Sequence, residues 1–202
     1  MEARFNSDER KRIREGISEK YKKVAISPEG NFNYPTGWAG LEGQKYNPDV
    51  LRELPKDVLA SYCGVGNPFS LGSVNKGEAV LDIGCGAGMD TLVAAIMVGP
   101  EGKATGIDLI PDMLKQAKIN LKKTSLKNVT FQEASAEQLP FSDGTFDVVI
   151  SNGVFNLIPD KARALREVFR VLKPSGRFLL ADQVLMGETP ADIESMVKNW
   201  AG

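Results

Sequence analysis

Residues 77–90 read GEAVLDIGCGAGMD, and the reading of this stretch decides the fold. Ala79, Val80, Leu81 and Ile83 form a short apolar run suited to a strand buried on both faces. Asp82 stands near its end. Gly84, Gly86 and Gly88 follow at alternate positions, and then an apolar helical pattern starts. Strand, glycine turn and helix create a place where a ligand can lie against bare backbone at a helix N-terminus.

Two ligand classes use such a turn. A dinucleotide site has the form G-x-G-x-x-G, with backbone N–H groups around a pyrophosphate. Here the third glycine comes one position early, and Met89 stands where Gly or Ala is expected. Asp82 puts a carboxylate beside the turn, which suits a ligand with a cationic part better than a pyrophosphate. S-adenosylmethionine, with an ammonium, a sulfonium and no phosphate, meets that requirement. A second acid is also in place. The segment KATGIDL ends the next strand pattern with Asp108, 20 residues beyond Gly88, the distance at which an acid reaches ribose hydroxyls.

The bulk of the chain agrees with an enzyme-sized α/β fold. Its 202 residues suffice for one sizeable core. With 25 basic against 26 acidic residues, no nucleic-acid or membrane surface is expected. There is no long apolar run, and residues 1–14 are dominated by charge rather than by a signal-like pattern. The two cysteines, Cys63 and Cys85, are expected to be reduced, in a cytoplasmic setting. The chain has no histidine, so any general base must be a carboxylate, Tyr, Lys or Cys, or the chemistry must not need one.

From Gly77 onward strands and helices alternate. Strands are expected at 79–83, 104–108, 129–133, 146–151 and 177–181, and helices at 90–98, 112–124 and 161–172. Such alternation implies a doubly wound, mostly parallel sheet with helices on both faces and ligands at the carboxyl ends of its strands. Upstream, residues 7–24 carry Ile13, Ile17, Tyr21 and Val24 at helical spacing. That predicts an amphipathic lid or docking helix, capped by Ser7 with an incomplete capping box. Residues 27–47, with four glycines and the rings of Phe32, Tyr34, Trp38 and Tyr46, read as an irregular, partly apolar loop. Residues 49–62 read as one or two short helices around Pro55. Residues 63–72 form a second glycine-rich turn, either a plain connector or a flap over the ligand mouth. The organisation expected is an N-terminal helix and cap over residues 1–72 and a cofactor-binding domain over residues 73–202.

Residues 80–182 resemble a class I S-adenosylmethionine-dependent methyltransferase, through VLDIGCGAG, GIDL, AEQLPF, FDVVISN and RVLKPSGRFLLAD. The resemblance implies a Rossmann-like fold with S-adenosylmethionine as cofactor. Gly84, Gly86 and Gly88 would admit the methionine half, Asp82 would hold its amino group, and Asp108 would accept from the ribose. Ser135, Ala136 and Glu137 would face the adenine, Ser135 standing where many members carry Asp. Met113 would pad the ring, and Cys85 and Leu109 would complete the wall, Cys85 as packing rather than as a reactive thiol. Asn152, at the methyl-transfer edge, would touch cofactor and orient the acceptor, or bond loop backbone.

GVGNP, GAGMD, SNGVFNLIPDK and REVFRVLKPSGR resemble the arsenite methyltransferase branch more closely. Trivalent arsenic is thiophilic, and its lone pair attacks a sulfonium methyl without a proton acceptor, in keeping with a chain lacking His. The chain departs from that branch at two thiol positions, which here hold Val65 and Gly153, while Cys63 lies two residues before the first and is the candidate thiol. The expected function is methyl transfer to a small acceptor, arsenite or another thiophilic species, with Cys63 and Asn152 at the acceptor. The alternatives are C- or O-methylation of a quinone-type molecule, which needs a base, and a catalytically silent binding module. A helix is expected near residues 191–200, with no residues left for a sixth and seventh strand. A shortened chain, with self-association through an uncovered sheet edge, is therefore also expected.

Overall fold

The computed structural model describes residues 6–184. Its centre is a five-stranded parallel sheet built from β1 (Ala79–Ile83), β2 (Lys103–Asp108), β3 (Val129–Glu133), β4 (Phe146–Asn152) and β5 (Leu172–Ala181), in the order β3-β2-β1-β4-β5. The chain winds outward from β1 to β3, then returns to place β4 on the other side of β1. The crevice between the ends of β1 and β4 is thus the topological switch point, where such sheets bind ligands.

Alternate residues of each strand feed two cores, as the pleat requires. Val80, Val148 and Ile150 pack under α5 (Met89–Val98), while Leu81, Ile83 and Val149 pack with Phe155 under α7 (Lys161–Val171). The first core also takes Leu41, Tyr46, Leu51, Val58 and Tyr62 from the N-terminal region. These lie in or beside α2 (Gly37–Gly43), α3 (Pro48–Leu51) and α4 (Lys56–Leu59), so this region and α5 share one apolar interior. α6 (Pro111–Lys122) contacts β3 and β2, and α1 (Ser7–Val24) rests on α6.

Four local expectations are corrected. The cap of α1 is Asn6, not Ser7, and its capping box is complete: Asn6 Oδ1 accepts from the Glu9 N–H at 3.0 Å, and Glu9 Oε2 accepts from the Asn6 N–H at 2.7 Å. The segment expected to be irregular contains α2, which has three glycines in seven residues but seats the buried Leu41; Gly40 has no Cβ to strike the Tyr62 ring and the Pro35 carbonyl. β5 begins at Leu172, directly after α7, rather than at Arg177. Leu172 pairs with Phe146 and Arg177 with Val148, so the intervening Lys-Pro-Ser-Gly residues bulge out of the ladder. Helix ends shift by one or two residues, α5 starting at Met89 and α6 running from Pro111 to Lys122. The helix expected near residues 191–200 lies outside the described residues; among the described residues β5, the strand expected at the edge, ends the sheet order. Among the described residues no helix is long and apolar enough to cross a membrane.

One ion-pair cluster ties the loop after β3 to α7. Arg170 donates to both carboxylate oxygens of Glu167 at 2.8 Å, to Asp143 Oδ1 at 2.8 Å, and to the Phe141 and Leu139 carbonyls at 2.7 and 3.0 Å. Glu167 in turn accepts from the Leu139 N–H at 2.7 Å. The Arg170 guanidinium holds the Glu167 carboxyl down at about 2, well below its usual 4.5. A depressed carboxylate stabilises the fold above the unfolded pKa and loses that contribution as pH falls through the folded one. Glu167→Gln is therefore expected to lower stability by about 1–2 kcal/mol at neutral pH, after allowing for partial solvent screening. In denaturant titrations the difference from the parent should close as the pH falls from 4.5 towards 2.

Candidate functional site

A cavity of about 670 Å³ opens at the carboxyl ends of β1, β2 and β4 and is roofed by α1. The glycine turn forms its floor. The N–H groups of Gly84 and Cys85 both donate to the Ile107 carbonyl, at 2.8 and 2.9 Å, which stitches the turn to β2. Gly84 sits at φ 70, and a Cβ there would run into Val154. Only glycine fits this approach. Gly88, the N-cap of α5, is not on the cavity wall; a Cβ on it would strike Phe131, so the third glycine serves helix–sheet packing.

Asp108 binds the turn directly, Oδ2 accepting from the Gly86 N–H and Oδ1 from the Ile110 N–H, each at 2.9 Å. Asp108 also lines the cavity, and two N–H bonds leave its carboxylate with accepting capacity to spare. Burial pushes its carboxyl above the usual range even against those two bonds. Asp82 is buried, with one oxygen taking the Thr91 hydroxyl at 2.6 Å. Burial, and next the charge of Asp90, raise its pKa well above the ordinary value.

Asp90 is the residue that the motif reading missed. It is 8 % exposed, lies in the first turn of α5 and lines the cavity. Its oxygens accept from the Tyr46 hydroxyl at 2.6 Å and from Asn152 Nδ2 at 2.9 Å. Burial pushes its carboxyl up to about 6 against those bonds. Its signal was present: in MDTLVAAIMV the only polar residues are Asp90 and Thr91, which touch Tyr46 and Asp82. Among the described residues, Asp82, Asp90 and Asp108 have no ion-pair partner. The cavity wall therefore carries three carboxylates outside any ion pair, while its cations, Arg10, Lys11 and Arg14, belong to the roof helix α1.

Asn152 ends β4 and anchors the second glycine-rich turn. Its Oδ1 accepts from the Val65 and Gly66 N–H groups at 2.9 and 3.1 Å, and its Nδ2 donates to the Gly66 carbonyl at 2.8 Å. The expectation that it bonds loop backbone is met, and it lines the cavity as well. Cys63 and Gly64, the start of that turn, also reach the cavity wall. The Cys63 thiol is pushed up to about 12 by burial and then by Asp108 and Asp90, with Lys20 opposing, so it is a thiol rather than a thiolate at neutral pH. Cys85 is buried and raised likewise, first by burial, which agrees with a packing role. Val65 lies directly over Gly153: a Cβ on Gly153 would come within 3.2 Å of Val65 Cγ1.

At the far side, Ser135, Ala136 and Glu137 line the cavity beyond β3, and Leu109 and Met113 flank it beyond β2. Met113 is buried in a cluster with Ala87 and Ile110, and Leu109 is exposed. The Glu137 carboxylate is already engaged. It takes Arg10 and Arg14 of α1 at 3.4 Å each and the Asp160 N–H at 2.8 Å, so it fastens the roof. The site residues thus run across the sheet order from β3 through β2 and β1 to β4. Three strand spacings span about 14 Å, room for a nucleoside at one end and an amino-acid tail at the other. Carboxylates without ion-pair partners on the wall suit a ligand with a cationic part.

Gly84→Ala tests the cradle. The Cβ clash with Val154 and the positive φ together are expected to cost about 1–3 kcal/mol in thermal unfolding and to abolish nucleoside binding in calorimetry. Val154→Ala in the same chain should recover part of the stability by removing the clash, but not the part owed to φ.

Comparison with known proteins agrees with this geometry. A family model described as a methyltransferase domain matches residues 74–202. The arsenite methyltransferase of Halobacterium salinarum is 41% identical over 195 residues, 90% of this chain and 50% of that protein. The demethylmenaquinone methyltransferase of Lactococcus lactis is 46% identical over 102 residues, 50% of this chain and 40% of that protein. Among solved structures, an arsenic(III) S-adenosylmethionine methyltransferase of Chlamydomonas reinhardtii matches with a TM-score of 0.59 and 39% identity, over 65% of this chain and 47% of that one. The chain spans about half the length of the curated relatives it matches. With its sheet order, its glycine turn and its carboxylates in agreement, the chain belongs to the class I S-adenosylmethionine-dependent methyltransferases.

Proposed function

We propose that this chain carries out methyl transfer from S-adenosylmethionine to a small acceptor held beside Cys63 and Asn152. One observation carries the reading: two buried carboxylates and a half-buried third face one cavity at the strand ends, and none of the three is in an ion pair, the arginines of the roof being engaged with Glu137. Burying unpaired charge is costly, and a cationic ligand removes that cost. S-adenosylmethionine, when bound, supplies an electrophilic methyl group on a sulfonium. The chain's own part is positioning and exclusion of water. Asp108 holds the sugar, the glycine turn takes the methionine half, and α1 closes the roof through Arg10, Arg14 and Glu137.

For the acceptor, the reading follows the relatives named for arsenite. Cys63 lines the cavity wall, as does the packing thiol Cys85, and a thiophilic centre bound at Cys63 needs no general base. A second reading, an organic acceptor of the quinone type, is favoured by the 46% identity over 102 residues to a demethylmenaquinone methyltransferase. A self-associating sheet edge remains part of the proposal for the whole protein.

Calorimetric titration with S-adenosylmethionine and its demethylated product should give saturable binding of both; the absence of both would leave only a silent module. Arsenite-dependent turnover is expected, falling at least tenfold in Cys63→Ser. Undiminished turnover in that variant would remove Cys63 from the acceptor site. Methylation of a demethylated quinone, with none of arsenite, would establish the second reading.

A further inference from the structure

Tyr46 and Asn152 converge on Asp90 from two different parts of the fold. Tyr46 is brought by the segment between α2 and α3, and its ring is fixed edge-on by Tyr62 and Phe69, with centroids 5.4 and 6.0 Å away. Asn152 comes from the end of β4 and is itself locked by Val65 and Gly66. A purely structural tie between these elements would not need a charge. A carboxyl here is a poor choice for one, since Asp82 lies close by on β1 and the two repel when both ionise. The groups facing Asp90 are Asp82, Tyr46, Tyr62, Asn152 and, across the cavity wall, Cys63; none is a cation. Lys20 faces Cys63 instead. What the arrangement offers is a carboxylate held at one orientation by two donors, at the β4 end of the cavity, away from the sugar-binding Asp108.

We propose that Asp90, oriented by Tyr46 and Asn152, is the charge partner of the cationic methionine end of the cofactor, and that it releases a proton to solvent when that end binds. The proposal rests on the cofactor reading above and adds a residue that the glycine motif does not include. Its chemistry is simple. In the free protein Asp90 titrates at about 6, because burial opposes its charge. A cation brought beside it reverses that balance and favours the ionised form. The cation binds the ionised form, so affinity is full above pH 6 and falls as the pH drops below it, by about tenfold between pH 7 and pH 5.

The test is calorimetry on the full chain with three probes: S-adenosylmethionine, S-adenosylhomocysteine, which lacks the sulfonium charge, and 5′-methylthioadenosine, which lacks the amino acid as well. Asp90→Asn should weaken S-adenosylmethionine at least tenfold at pH 7.5 and leave 5′-methylthioadenosine within about twofold. If S-adenosylhomocysteine weakens equally, the ammonium is the partner; if it does not, the sulfonium is. Titrations at pH 6 in two buffers of different ionisation enthalpy should show about half a proton released per site in the parent and none in the variant. Tyr46→Phe removes one donor to the carboxylate, so the midpoint of the pH dependence should move upward with affinity at pH 8 retained. Equal losses for all three probes in Asp90→Asn, or an unmoved midpoint in Tyr46→Phe, would reduce Asp90 to a structural tie. A parent chain that binds none of the probes would remove the cofactor reading itself, a result distinct from either.

Discussion

A carboxylate taken out of water needs compensation, and this fold places three of them around one cavity without giving any of them an ion-pair partner among the described residues. Local hydrogen bonds supply part of it. Thr91 serves Asp82, backbone N–H groups serve Asp108, and Tyr46 with Asn152 serves Asp90. Those bonds fix orientation but do not offset burial, since all three carboxyls remain shifted towards their neutral forms. The stabilisation missing from the free protein is what a positively charged ligand brings. Cofactor affinity and local instability are thus two aspects of one arrangement.

The remaining architecture keeps that arrangement in place. β1 and β4 part at the switch point, with the glycine turn above one and Asn152 above the other. The Arg170 cluster pins the loop after β3 to α7, and through that loop Glu137 receives the two arginines of α1. One chain of contacts therefore runs from a surface ion pair to the helix that roofs the cavity. The roof is held by long 3.4 Å ion pairs and by the fully buried Ile13, rather than by backbone pairing. Such a roof can yield to an entering nucleoside without breaking the sheet.

Much of this was legible in the sequence because it rests on local rules. The strand pattern at Ala79, the glycine spacing and the acid of the following strand each reflect a backbone requirement confined to a few residues, and all recur in the structure. The cap at Asn6, one residue from the expected Ser7, was hidden because both residue types can cap and only tertiary placement of the chain decides between them. The bulge after Leu172 was hidden because Lys-Pro-Ser-Gly reads as a helix stop and turn, whereas pairing with Phe146 lets the strand begin before it. Asp90 escaped notice for a deeper reason. Its meaning depends on Tyr46 and Asn152, 44 and 62 residues away in the chain, and no local pattern couples them.

The same contrast explains why the cofactor half of the site is more tightly determined than the acceptor half. In the proposed binding mode the nucleoside end is shaped by backbone: a turn whose own N–H groups stitch it to β2 and to Asp108, and a glycine for which Val154 leaves no alternative. Side-chain replacement can do little to redirect such a surface. The acceptor end is read by side chains on the Cys63 turn, which Asn152 grips through the main chain of Val65 and Gly66. Because the grip is on backbone, the side chains of that turn are free to differ while its path is kept. Val65 beside Gly153 is one outcome of that freedom. A fold that fixes its cofactor through main chain and its acceptor through exchangeable side chains can change substrates without rebuilding the pocket.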